Sequence, residues 1–166
     1  MAEYHWDHFT VRIPVRQSLD ALYRAWTRQH ELENWFVRYS PFISAEGMPR
    51  GKDEEFKAGD TYTWRWHGYG DEAEEKGTIL ECNGKDYIKF TFGQAGVCAV
   101  TIKPEGEMCV VEITQNDIPV DDKSRAQYYV GCQTGWTFYL ANLKSVMEGG
   151  LDLRNKNEAL KGVVSS

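Results

Sequence analysis

Cysteine is scarce in this sequence, which has four among 166 residues. No two of them form a CxxC pair. The four are Cys82, Cys98, Cys109 and Cys132. Secreted domains held by disulfides need a dense cysteine framework, whereas scattered cysteines are typical of reduced thiols. The sequence therefore favours a cytoplasmic protein with free thiols.

Long apolar runs and excess positive charge are also lacking. Residues 1–7 carry no basic region followed by an apolar core, and no later segment has the roughly 20 apolar residues that a bilayer-spanning helix needs. The chain has 25 Asp and Glu against 19 Lys and Arg, which gives a net charge of −6. This charge repels a phosphate backbone, so we expect neither nucleic acid binding nor membrane insertion.

Catalytic and metal-binding motifs are absent from the sequence as well. No Ser or Cys stands in a local nucleophile motif, and no carboxylate pair stands out for acid–base work. His5, Asp7 and His8 are close together, but on a strand His8 would point away from the other two. His67 is expected on the strand face opposite its neighbouring tryptophans, partly exposed. We predict no catalytic residue, no metal and no cofactor.

Aromatic residues, by contrast, are abundant: six Trp, nine Tyr and seven Phe. Large rings line small-molecule pockets, and they also fill ordinary cores. The length suits one domain with its own core. We predict a single domain over residues 1–166, with an ordered core at about 7–154 and a frayed tail at 155–166.

Period-two alternation predicts several strands. These lie at residues 9–13, 61–67, 77–82, 87–92, 100–103 and 111–114, with a short candidate at 42–45. Asn83-Gly84 predicts a hairpin turn. Ile79 and Leu80 are adjacent apolar residues, so the sequence leaves open which face of the strand each of residues 77–82 occupies. Residues 47–58 are expected to form a long loop, and the acidic run 71–75 a solvated turn.

Helical spacing predicts two short helices, one capped by Ser18 and one at residues 29–35. A long helix is predicted from a cap at Asp121 or Asp122 to Gly149-Gly150. Its apolar stripe consists of Tyr129, Cys132, Trp136, Tyr139, Leu140, Leu143 and Met147. The polar residues expected on its opposite face are Gln127, Thr134, Asn142 and Ser145.

Two glycines interrupt this helix. Gly131 and Gly135 each destabilise a helix interior by about 1 kcal/mol relative to Ala. Close backbone packing or room for a ligand would each account for them, and the sequence leaves both open.

Several short motifs point to a known family. Residues 11–15 followed by 22–26 resemble an opening strand and a "V-W-x-A-L/W" helix, and residues 32–35 resemble the "L-x-x-W" that follows. Residues 135–144 closely resemble a "G-W-x-x-x-L-x-x-L-K" helix, and residues 117–119 resemble the "x-G-(I/L/F)-P" before it. These are motifs of the START-like (SRPBCC) helix-grip superfamily, in the AHSA-like branch named for the activator of a heat-shock chaperone ATPase.

The resemblance implies an α+β helix-grip fold. In this fold a curved antiparallel sheet wraps around a long C-terminal helix, and two short helices follow the first strand. It also implies a ligand cavity between sheet and helix. The residues expected to line it are Trp64, Trp66, Phe90, Phe92, Val100, Ile102, Val111, Ile113, Trp136, Tyr139, Leu140 and Leu143. A filled core of the same residues gives the same alternation, so the sequence does not separate the two.

The predicted function is therefore binding of a small apolar or aromatic molecule by a monomer or weak homodimer. Two alternatives stay open. One is a chaperone-associated module in the stress response, for which Phe138 on the outer side of the helix is the hint. The other is a cyclase-like, aromatase-like or hydrolytic enzyme. Its acid–base candidates near the pocket mouth are Arg65, Glu81, Glu112 and Tyr139.

Overall fold

The computed structural model describes residues 2–164 and contains one seven-stranded antiparallel sheet in the order β1-β7-β6-β5-β4-β3-β2. Its strands are β1 (Phe9–Val15), β2 (Phe42–Ile43), β3 (Thr61–Arg65), β4 (Glu74–Cys82), β5 (Tyr87–Thr91), β6 (Val97–Glu105) and β7 (Met108–Asn116). Its helices are α1 (Leu19–Thr27), α2 (Gln29–Leu32), a 3₁₀ turn (Gly93–Ala95), α3 (Asp122–Ser124), a π-helical segment (Arg125–Val130) and α4 (Gly131–Met147). The predicted α+β helix-grip fold is confirmed.

Local chemistry explains where the helices begin and end. The Ser18 hydroxyl accepts from the Ala21 N–H at 3.2 Å, which caps α1 as predicted. Helix α2 is shorter than predicted and ends at Leu32. The chain then turns and places the Trp35 indole N–H 2.8 Å from the Ala25 carbonyl of α1. Trp35 was predicted to be helical, but it lies in the turn, and its hydrogen bond connects this turn to α1.

The long C-terminal helix starts at the predicted cap, since the Asp121 carboxylate accepts from the Ser124 N–H at 3.0 Å. It stops at Gly149, which has φ +81°, a backbone conformation that suits glycine. Its early part is π-helical over Arg125–Val130, which the sequence does not predict. Such a wide turn shifts the side chains that follow relative to the sheet, and π-bulges are frequent at functional sites.

A β-bulge in β4 settles the parity that the sequence left open. Ile79 pairs with Phe90, and the next paired residue is Glu81, opposite Lys89. Leu80 between them is the extra residue, so Ile79 faces the core while Leu80 is exposed.

The acidic run is only partly a solvated turn, which corrects the sequence prediction. Asp71 lies in the turn, where it accepts from Arg38 at 2.8 Å. Glu74 and Glu75, however, belong to β4. Glu75 pairs with Trp64, and antiparallel partners share a sheet face, so its side chain lies on the same inner face as that buried ring.

Asn142 is also misplaced by the sequence, because it is fully buried rather than exposed. Its side-chain amide donates to the Trp35 carbonyl at 2.7 Å and accepts from the Leu153 N–H at 2.7 Å. The chain beyond α4 folds back over this helix face and covers it. Helical periodicity describes only the residues within the helix, so it does not predict that a later segment covers this face.

The returning segment, residues 150–154, ends in a buried arginine. Arg154 donates to the carbonyls of Glu33 and Val37 at 3.0 and 3.1 Å and to the Asp152 carboxylate at 2.8 Å. Residues 155–164 contain no helix or strand, and the last two residues of the predicted tail lie outside the described range. Within residues 2–164, no helix combines the length and apolarity needed to cross a membrane.

Candidate functional site

The inner face of the sheet, the turn after α2 and helix α4 meet in a cluster of aromatic rings around Phe36. Phe36 stacks on Trp136 with ring centroids 5.1 Å apart, and its edge contacts Tyr139 at 5.0 Å. Trp64 and Trp66 contact it from the sheet, with centroids at 5.1 and 5.9 Å. Stacked and edge-to-face pairs of this kind hold rings in fixed orientations.

An apolar pocket of about 160 Å³ opens beside this cluster. It is lined by Phe36, Trp66, Phe92, Gly131, Cys132, Gly135, Trp136 and Tyr139. A void of about 150 Å³ with apolar walls stays dry and accepts benzene. The pocket therefore has room for about one aromatic ring.

The two helix glycines form one wall of this pocket. A Cβ added to Gly135 would meet no atom within 4 Å, and one added to Gly131 would meet only the Ala126 carbonyl, at 3.9 Å. Close packing against a neighbour therefore does not account for these glycines. Because these two glycines have no side chains, the helix backbone is exposed to the pocket at both positions.

A second pocket of about 530 Å³, with both polar and apolar lining residues, adjoins the first and shares Phe92 and Cys132 with it. Its other lining residues are Glu75, Gly93, Gln94, Ala95, Gln127 and Tyr128. The Tyr128 hydroxyl donates to Gln94 at 3.1 Å across this pocket. The two pockets together offer an aromatic slot next to a wider vestibule that carries several polar groups.

Glu75 is the acidic residue that lines this vestibule. Burial raises the pKa of its carboxyl, and the Lys76 backbone N–H offsets this only in part. A Cβ on Gly93 would lie 2.5 Å from a Glu75 carboxylate oxygen. Gly93 also has φ +54°, so this position suits glycine both for its backbone and for the carboxylate beside it.

A buried network fixes the Trp136 ring at the inner end of the slot. Its indole N–H donates to the Gln115 side-chain oxygen at 2.9 Å, and the Gln115 amide donates to the Ala95 carbonyl at 2.8 Å. Burial raises the pKa of the Cys98 and Cys132 thiols, which keeps them protonated at neutral pH. Neutral thiols are poor nucleophiles, so this site does not present an activated cysteine.

Of the residues expected to line a cavity, Trp66, Phe92, Trp136 and Tyr139 lie on the apolar pocket. The remainder are buried in the core: Trp64, Phe90, Val100, Ile102, Val111, Ile113, Leu140 and Leu143. The sequence did not indicate Phe36, which lies in an irregular turn without periodicity, or Glu75, which lies in a run of acidic residues. The unfavourable glycines were the sequence signal for the open space beside the helix backbone.

Of the four acid–base candidates, one lines a pocket and three do not. Tyr139 lines the apolar pocket, and burial raises the pKa of its hydroxyl. Arg65 donates to Glu74 at 2.8 Å, and Glu112 pairs with Arg12 at 2.9 Å. Glu81 is exposed. Neither pocket is lined by Arg65, Glu81 or Glu112.

The histidines and Phe138 lie away from both pockets. His8 pairs with Asp7 at 2.9 Å on the surface. Burial, together with the nearby charges of Arg154 and Lys156, lowers the pKa of His67. Phe138 is half-buried against Tyr139, with ring centroids 5.2 Å apart.

Comparison with known proteins identifies the family of the chain. The family model described as Activator of Hsp90 ATPase homolog 1-like protein matches residues 16–148. No curated protein matches the sequence.

Solved structures share the fold at low sequence identity. The protein SSP2350 from Staphylococcus saprophyticus is 21% identical with a TM-score of 0.70, over 89% of this chain and 96% of that one. The Aha1 dimer from Colwellia psychrerythraea is 15% identical with a TM-score of 0.66, over 86% and 97%. DynU16, from the dynemicin biosynthetic locus, is 16% identical with a TM-score of 0.62, over 92% and 50%.

Proposed function

Because this chain belongs to the family of Activator of Hsp90 ATPase homolog 1-like proteins, we propose that it binds a small aromatic molecule in the apolar pocket beside α4. The observation that carries this proposal is the bare helix backbone at Gly131 and Gly135. Both glycines destabilise the helix, and neither is required by a neighbouring atom. A bound ring would fill the space that they leave.

The walls of the pocket support an aromatic ligand in particular. Phe36, Trp66, Phe92, Trp136 and Tyr139 surround the space with ring faces and edges. Pairs of aromatic rings gain about 0.5–1.5 kcal/mol beyond area burial when they stack or meet edge to face. The volume of about 160 Å³ is below the usual range for drug-sized ligands, about 300–1,000 Å³, which favours a single ring over a lipid or sterol.

The test is binding of toluene followed by amide and indole NMR signals. We expect shifts at the Gly131 and Gly135 amides and at the Trp136 indole. Gly135→Leu fills the pocket from the helix and should abolish these shifts. Thr134→Leu, on the adjacent exposed position, is the matched control and should bind like the wild type. Absence of binding to the wild type, or unchanged binding to Gly135→Leu, would refute the proposal.

A chaperone-associated role is a second candidate, which the family description favours. Phe138, its sequence hint, is half-buried, so part of its ring is exposed to a partner. Co-purification of the wild type and a Phe138→Ala variant with a chaperone tests this role, and loss of the complex in the variant would support it.

For assembly and location, we propose a monomer or weak homodimer that acts in the cytoplasm. The four cysteines are free thiols, which suits a reducing compartment. Light scattering at several concentrations measures the assembly state directly. A mass that stays at that of a dimer on dilution would contradict weak association.

A further inference from the structure

Glu75 is an acidic residue on the inner face of the sheet, where most of its neighbours are apolar. Its strand partner is Trp64. The next residues of β4 on the same face are Gly77, which lies under the Tyr62 ring, and Ile79, which is buried in the core. Gly93 has no side chain, which leaves space for the carboxylate at the edge of the vestibule. The position of this carboxylate is therefore set by the sheet and not by a flexible loop.

The negative charge of Glu75 is not balanced within the described structure. Two neighbouring acids have arginine partners, Asp71 with Arg38 and Glu74 with Arg65, each at 2.8 Å. Among residues 2–164, no Lys, Arg or His lies within ion-pair distance of Glu75. A partly buried charge without a partner is unfavourable, and a cation placed beside it removes that penalty.

The vestibule and the aromatic slot are adjacent, because Phe92 and Cys132 line both. A molecule with its ring in the slot would extend a short arm past these two residues toward Glu75. Aromatic faces also attract cations, by about 0.5–2 kcal/mol depending on desolvation. Phe92 and Tyr128 line the vestibule, so its aromatic rings and the Glu75 carboxylate favour the same cationic end group.

We propose that the ligand is an arylalkylamine, with one aromatic ring in the slot and a protonated amine on a short alkyl arm paired with Glu75. This inference rests on the proposed function and specifies its ligand class. The net charge of −6 further favours a cationic ligand over an anionic one. A ring with a carboxylate arm would meet repulsion from Glu75.

Three probes of similar size separate ring recognition from charge recognition. They are 2-phenylethylamine, 2-phenylethanol and phenylacetate, measured by calorimetric titration at neutral pH. We expect the amine to bind at least tenfold more tightly than the alcohol, and phenylacetate to bind most weakly. In Glu75→Gln the amine should lose its advantage while the alcohol binds as before. In Glu74→Gln, the matched control whose carboxylate pairs with Arg65 outside the vestibule, the preference should persist.

The outcomes distinguish the two proposals. Equal binding of amine and alcohol to the wild type overturns the assignment of Glu75 and leaves ring binding intact. Failure of all three probes and of toluene to bind removes the ring-binding proposal itself. Comparison of the probes on the wild type alone decides the charge preference even if Glu75→Gln does not fold. Retained amine preference in a folded Glu75→Gln would also overturn the assignment.

Discussion

At the scale of single residues, Gly135 is where helix stability and pocket volume oppose each other. An added Cβ meets no atom within 4 Å, so Gly135→Ala should fold without a clash. We expect urea unfolding to show a stabilisation of about 0.5–1 kcal/mol, with weaker toluene binding. Gly150→Ala is the contrasting control, since its Cβ would lie 2.7 Å from the Ser145 hydroxyl and should destabilise. A destabilised Gly135→Ala would show that the glycine serves packing.

Asn142 is a fully buried residue whose side chain satisfies two backbone groups of distant segments. Replacement by Ala leaves the buried Trp35 carbonyl and the Leu153 N–H without their partner. The buried Trp35 carbonyl left unsatisfied costs about 1–3 kcal/mol, so we expect a loss of about 1–3 kcal/mol in urea unfolding. Thr134→Ala, on the exposed face of the same helix, should change stability by less than about 0.5 kcal/mol. Similar values for both variants would contradict the role assigned to Asn142.

At the scale of elements, the segment 150–154 joins α4 to the turn that carries Phe36. Arg154 makes this connection, and its side chain is only 3% exposed. Arg154→Met should lose about 2–3 kcal/mol in urea unfolding, because it leaves the Glu33 and Val37 carbonyls without their donor and removes the partner of the exposed Asp152. Lys156→Met is the matched control, since Lys156 pairs with the same Asp152 but is 55% exposed, and it should cost less than about 1 kcal/mol.

The same segment gives the protein an acid-sensitive contact. Partial burial alone would raise the pKa of Asp152, but hydrogen bonds from Arg154 and Lys156 outweigh it and hold the pKa well below its usual range. Because the folded-state pKa is depressed, the contribution to stability is present above about pH 4 and is lost as the pH falls further. The stability difference between the wild type and Asp152→Asn should therefore shrink from pH 6 to pH 3. An equal difference at both pH values would contradict this.

At the scale of the whole molecule, a ligand that binds only the folded pocket must stabilise the fold. At a ligand concentration of about 100 times Kd the gain is about 2.7 kcal/mol. For a protein of this size this corresponds to about 5–10 °C in Tm. We expect this shift with 2-phenylethylamine in the wild type and not in Gly135→Leu, as measured by calorimetry. An equal shift in both would indicate binding elsewhere.

Much of the architecture follows from local patterns in the chain. Alternation in residues 87–92 and 111–114, the Asn83-Gly84 turn and the caps at Ser18 and Asp121 are confirmed in the structure. These signals are local because parity, turn geometry and capping each involve only residues a few positions apart. The resemblance to the AHSA-like branch is likewise confirmed by the family match.

The site itself depends on contacts between distant segments, and here the sequence alone was insufficient. Burial fixes which side of a strand a residue faces, but it does not say whether the space opposite is filled. Only the packed structure separates the pocket-facing Trp66 and Phe92 from the filled core around Val111. Glu75 and Asn142 were both assigned to solvent by their polarity. Strand pairing with Trp64 turns Glu75 inward, and the returning C-terminal segment buries Asn142. In both cases tertiary contacts, rather than the polarity of the residue, decided its surroundings.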